Sequence, residues 1–343
     1  MSSVGGSDQQ HGSSRKFPEL WLLISLITGV AVLTQAFGLS QDWENYVGMF
    51  DAIRSDGLHA EGVERIEFGF KWLSAFLVGS TLSNLEVYAV ISALSIFMKC
   101  AAISSLAKDR LSYSLAMLVY MVCIAPLHEF TQLRAAIAIS ALFLCYAYLV
   151  TGRFFSATFF ALVAAGFHLS AVLVYPAMVL SALVMRGVIH PSRFRVFFLS
   201  LSVFAVVTSV IAFAIAYFED VFLVVRAYQE LGFGDDAVNP LSPSVLLNVG
   251  LFSASILLWN SLTPSMRNIV IFQAIGLAVF FATMEFQVVA FRIFELFQAF
   301  TPFFVVDGFK NADVRVRLFV AGYVALSLSA YSYIYFFSGK FFL

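Results

Sequence analysis

The stretch Pro126-Leu127-His128-Glu129-Phe130-Thr131-Gln132-Leu133-Arg134 sets ionisable side chains between two long apolar runs. Such groups are costly at the edge of a hydrocarbon layer and usually mark a functional site. Arg134 begins the second run, with Thr131 or Gln132 placed to cap it. A helix N-terminus offers free N–H groups and partial positive charge, and the planar guanidinium fork binds phosphate oxygens in pairs. The other reading has Arg134 pairing with Glu129 or snorkelling to headgroups. Arg292 lies about a turn and a half inside the outer end of another run, with Glu295 three residues later on the same face. That pair reads either as an internal ion pair or as a second phosphate ligand oriented by Glu295. Read functionally, Arg134 and Arg292 are two phosphate ligands on the same side of the membrane.

A proton acceptor is also available. His168, in Gly166-Phe167-His168-Leu169-Ser170-Ala171, ends a short apolar run at a depth matching Arg134. A neutral imidazole can act as a general base near neutral pH, and His128 and Glu129 are alternatives. An acidic segment near the start opens with Asp42-Trp43-Glu44 and closes with Glu67. The acid-x-acid pair is a weak pattern for a divalent cation, and no metal is expected. Glu67 is the acid expected to enter the cavity, where it can take a proton from a sugar hydroxyl or hydrogen-bond the sugar. Trp43, Tyr46 and Tyr228 can stack on sugar rings or belong to an interfacial aromatic belt.

The elements that must position these groups are membrane helices. The chain of 343 residues is 61% apolar and 12% charged, against roughly 45–50% and 25% in a soluble domain. Apolar runs without alternation recur along it, so an all-α polytopic membrane protein is expected and a barrel is not. Residues 1–18 read as a disordered cytoplasmic tail and 19–343 as a single transmembrane domain. Spans are expected at about 19–38, 85–106, 111–127, 134–150, 153–168, 170–186, 194–218, 243–261, 266–284, 287–308 and 316–337, so about 11 crossings of some 20 residues or somewhat fewer each. Residues 68–82 are too short to span comfortably and read as a re-entrant or interfacial helix. Outer loops fall at about 39–84 and 219–242. With 68–82 not crossing, most Lys and Arg, including Arg15, Lys16, Lys99, Lys108 and Arg110, lie at inner helix ends, as the positive-inside rule requires.

Several classes drop out. There is no P-loop or dinucleotide fingerprint, so no nucleotide cofactor or nucleic-acid partner is expected. Cys100, Cys123 and Cys145 lie inside apolar runs, are odd in number, and read as packing residues.

The order of short motifs resembles a family. Asp42-x-x-x-Tyr46 is followed by Glu67-x-Gly69-Phe70, then Gln132-Leu133-Arg134-x-x-Ile137-Ala138, Phe167-His168-x-Ser170-Ala171 and Phe291-Arg292-Ile293. This order, over roughly 20–310, is similar to the EpsG-like branch of the Wzy polysaccharide polymerases. The resemblance implies a GT-C-like glycosyltransferase of the bacterial inner membrane. It would polymerise undecaprenyl-pyrophosphate-linked repeat units on the periplasmic side, for O-antigen, capsule or exopolysaccharide, with inversion and without a cofactor. Its partners would be lipid-linked donor and acceptor, membrane lipids, and a chain-length regulator. Arg134 and Arg292 would hold the pyrophosphate, Glu67 or His168 would be the base, and Asp42, Tyr46, Gln132, Glu295 and Tyr228 would bind or orient the sugars. A flippase or exporter of lipid-linked oligosaccharide, or a ligase passing the glycan to another acceptor, remains the alternative; a membrane acyltransferase fits less well.

Overall fold

The computed structural model describes residues 19–40, 42–60, 66–107, 109–185, 239–284, 287–311 and 313–337, with 63, 202 and 206 besides. The expected span 194–218, apart from 202 and 206, and most of the loop 219–242, Tyr228 included, lie outside the described residues. Among those described, all regular structure is helical. In order these are α1 (Glu19–Ala36), α2 (Trp43–Asp56), α3 (Phe68–Gly79), α4 (Asn84–Leu106), α5 (Arg110–Cys123), α6 (Ala125–His128), α7 (Leu133–Val150), α8 (Phe154–Phe167) and α9 (Ala171–Met185). They continue with α10 (Pro243–Leu257), α11 (Pro264–Ala282), α12 (Gln287–Gln298), α13 (Thr301–Gly308) and α14 (Val314–Ser332), which ends in a π turn at Tyr333–Phe337.

The hairpin α7–α8 forms the centre of the first half. Thr151-Gly152-Arg153 joins the two helices, and Gly152 takes φ 84°, a left-handed value that glycine adopts without strain. Small residues let α7 pack closely on several sides: Ala135, Ala136, Ala138, Ser140 and Ala141 are all buried. Helix α8 divides cleanly into two faces. Ala157, Ala161 and Ala164, spaced by a helical turn, are buried, whereas Phe155, Phe159 and Leu162 are exposed. That exposed face suits lipid, and the alanine stripe lets α7 approach closely.

Four described helices are long and apolar enough to cross a membrane: α4, α7, α11 and α14 with its π turn. This is fewer than the expected number of full-length spans, and two of the expected spans are broken. The run 111–127 divides at Ile124, where Pro126 in the first turn of α6 cannot donate a backbone hydrogen bond. The run 287–308 divides at Ala299–Phe300, with Pro302 opening α13. Proline suits a helix's first turn and disfavours helical geometry in the residue before it. Helix α3 has 12 residues, about 18 Å of helix at 1.5 Å per residue. That is well short of a hydrocarbon layer of about 30 Å.

Lys99 corrects the charge reading. It is not at an inner helix end but fully buried in the bundle, ion-paired with the equally buried Glu129. Its Nζ also donates to Ser95 Oγ at 3.1 Å and to the Ala136 carbonyl at 3.0 Å, and sits 5.5 Å from the Tyr120 ring centroid. Ser95 Oγ donates to Glu129 Oε1 at 3.0 Å. The irregular backbone after α6 is satisfied by side chains from elsewhere. Tyr88 Oη donates to the Glu129 carbonyl at 2.8 Å, and Gln35 Nε2 to the Phe130 carbonyl at 2.6 Å. Buried carbonyls without partners would be costly, so these contacts make the break possible.

Lys99→Met strands the Glu129 carboxylate inside the bundle and is expected to cost about 3–5 kcal/mol. Thermal unfolding in detergent measures this, and Lys99→Met with Glu129→Leu is expected to recover most of the loss.

Candidate functional site

Three helix ends meet at one place. Arg134 lies in the first turn of α7, His168 caps the C-terminus of α8, and Glu67 precedes the first residue of α3. Because α7 and α8 form a hairpin, the start of one and the end of the other fall side by side. The Glu67 carboxylate bridges them. Oε2 accepts from Arg134 Nη1 at 2.8 Å, and Oε1 lies 3.3 Å from His168 Nδ1. The Arg134 side chain is still 35% exposed, so the remaining N–H donors of the fork can reach a ligand.

Helix α3 is held in place by a backbone contact. A Cβ added to Gly69 would lie 2.9 Å from the Gly166 carbonyl oxygen, too close for any side chain. One added to Gly166 would meet nothing nearer than the Gly69 nitrogen at 3.8 Å. Gly69 is therefore what lets α3 press against the end of α8 and carry Glu67 to His168.

The N-terminus of α7 is capped in an unexpected way. Gln132 occupies the N-cap position without a side-chain capping bond, and Thr131 Oγ1 turns back to the Leu127 carbonyl. Instead the Tyr46 hydroxyl oxygen accepts from the Arg134 backbone N–H at 3.4 Å, across 88 positions of sequence. Tyr46 is 6% exposed and packed among Phe50, Phe70 and Tyr88. Its ring faces are covered by protein, so it orients Arg134 and does not stack on a sugar. Trp43 packs edge-on against Tyr88, with centroids 5.8 Å apart.

Asp42 stands at the start of α2, within electrostatic reach of both Arg134 and Arg292. Two arginines far apart in sequence thus both act on the charge of one carboxylate. Burial raises the Asp42 pKa, and Arg134, a hydrogen bond with Asn45 and Arg292 only partly offset it. Glu44, two residues on, is exposed. Glu67 behaves in the opposite way. Burial raises its pKa, but the His168 hydrogen bond and the Arg134 charge together outweigh this and hold it at about 2. Glu295 lies one turn beyond Arg292 on α12 and feels its charge. Glu129, which the other reading paired with Arg134, is taken by Lys99.

Sequence reasoning named His128 only as an alternative base. His128 is 3% exposed, its Nδ1 has no hydrogen-bond partner, and it lines a cavity of ≈ 110 Å³ together with Glu295 and Gln298. The signal for that cavity was the proline-interrupted pair of apolar runs, whose breaks both border it.

Gly69→Ala is expected to push α3 from α8 and destabilise the protein by about 1–3 kcal/mol, whereas Gly166→Ala is tolerated; thermal melts of the two variants measure the asymmetry. A carboxylate whose pKa falls on folding stabilises the fold above its unfolded value and loses that contribution as pH drops through the folded one. The stability advantage of the wild type over Glu67→Gln is therefore expected to be full above the ordinary value of 4.5 and to shrink towards pH 2. Melts across that range check it.

No curated protein and no solved structure matches the chain. The model of the EpsG family matches residues 19–343, nearly the whole chain. With its apolar helices, the protein is thus a membrane protein, and the chain belongs to the EpsG family of Wzy-like polysaccharide polymerases.

Proposed function

We propose that the protein is an inverting glycosyltransferase that joins oligosaccharide repeat units carried on undecaprenyl pyrophosphate, at the periplasmic face of the bacterial inner membrane. The observation that carries this reading is the Glu67 carboxylate bridging Arg134 and His168, with Asp42 subject to the charges of both Arg134 and Arg292. A lipid pyrophosphate brings its own leaving group, which suits a compartment without nucleotide sugars. Negative charge grows on the diphosphate as the glycosidic bond breaks. Two guanidinium groups stabilise that charge more in the transition state than in the ground state.

The geometry supports a division of labour between Glu67 and His168. While it accepts from Arg134, Glu67 has too low a pKa to be an effective base. Its Oε1 faces His168 Nδ1, an arrangement that keeps the proton on Nδ1 and turns Nε2 into the acceptor. In this reading Nε2 takes the proton from the acceptor hydroxyl, and that oxygen attacks the anomeric carbon. The bond from the anomeric carbon to the diphosphate oxygen breaks, and its electron pair leaves with the diphosphate. Glu67 orients the imidazole and steadies the imidazolium, so it is a positioning residue. A diphosphate that draws Arg134 away also frees the carboxylate for this work.

Purified protein given one lipid-linked repeat unit is expected to produce a ladder of chain lengths. Arg134→Ala and Arg292→Ala are each expected to fold and to lower the rate by about a hundredfold or more, leaving single units. Full ladders from both variants overturn the reading.

A further inference from the structure

Both helix interruptions described above border the same cavity. Ile124, at the end of α5, and Ala299, just after α12, line it, as do residues from the first turn of α10 and the end of α14. In a membrane, non-helical backbone is tolerated where it is buried in protein or lines a water-filled cavity, and broken helices often frame binding sites there. The cavity's polar groups are mixed in kind. His128 and Tyr331 line it, with His128 Nδ1 and the Tyr331 hydroxyl buried within the wall. Glu295 and Gln298 add an acceptor and a donor–acceptor amide from one face of α12. Phe291 and Phe294 supply apolar wall.

We propose that this cavity is the subsite for the terminal sugar of the acceptor glycan, bound through its hydroxyls by Glu295 and Gln298. A sugar hydroxyl both donates and accepts, which matches this mixture of groups better than a cation or an anion does. Sugar C–H faces match the phenylalanine wall. A volume of ≈ 110 Å³ exceeds several times the roughly 10–15 Å³ that one water requires on the same kind of measure, room for one ring and not for an oligosaccharide. The position is also right for an acceptor. Glu295 is one turn from Arg292 on α12, so a ring held here lies beside an arginine of the proposed diphosphate site.

This subsite deepens the proposed function and rests on it, so the test separates the two. The lipid-linked repeat is extracted from the producing strain with this polymerase deleted. Mild acid releases from it a soluble oligosaccharide, which can accept but cannot donate. Titration of that oligosaccharide into purified protein is expected to show about tenfold weaker binding to Gln298→Leu and to Glu295→Gln, the loss of about one hydrogen bond's worth of free energy, with wild-type affinity kept in Arg134→Ala. With the lipid-linked donor present, the same two variants raise the KM for the soluble acceptor and leave the KM for the donor unchanged. Glu295→Gln is isosteric and keeps the test open if Gln298→Leu does not fold. Unchanged oligosaccharide affinity in a folded variant, or an equal rise in both KM values, overturns the subsite. Full ladders from Arg134→Ala and Arg292→Ala with tenfold weaker oligosaccharide binding in the cavity variants overturn the diphosphate reading and leave the subsite standing.

Discussion

A single buried ion pair lets this bundle contain an irregular connection. Between α6 and α7 the chain leaves helical geometry inside the protein, freeing carbonyls that a hydrocarbon environment cannot satisfy. Lys99 meets the Glu129 side chain, Tyr88 takes the Glu129 carbonyl, and Gln35 takes the Phe130 carbonyl. Desolvating two charges is expensive, and a well-packed apolar pair is often as stable. What the pair provides is placement. It anchors the connection to α4, so that α7 begins where Arg134 meets Glu67 and Tyr46.

The site itself is a small electrostatic lattice. One carboxylate, Glu67, serves a guanidinium and an imidazole at once, and a second, Asp42, feels the charge of two guanidinium groups. Their surroundings drive their proton affinities apart, down for Glu67 and up for Asp42. Groups that titrate at different pH values can fill different roles at one working pH. In the function proposed above these residues share one purpose, since charge is both delivered and neutralised when a lipid diphosphate departs.

Much of this was legible in the sequence, and the reasons are physical. Arg134, His168 and Glu67 stood out because charge at the end of an apolar run is rarely accidental. The helical class followed from runs without alternation. The partners were not legible. Tyr46 caps α7 from 88 positions away, and a tyrosine in an acidic loop carries no mark of that duty. Glu129 looked like a neighbour for Arg134 because the two are close in sequence, but Lys99 competes for it from another helix. Two runs read as continuous spans because hydropathy averages across Pro126 and Pro302, whereas the backbone breaks near them.

The contact between Gly69 and Gly166 has a mechanical consequence. With backbone against backbone at the end of α8, α3 has no side chain there to rearrange, so its separation from α8 is set by main-chain atoms. Glu67 and His168 flank that contact, and Arg134 begins the helix that pairs with α8 in the hairpin. The reach from carboxylate to imidazole therefore depends on the backbone and not on how side chains pack. Guanidinium and imidazole are held on opposite oxygens of one side chain.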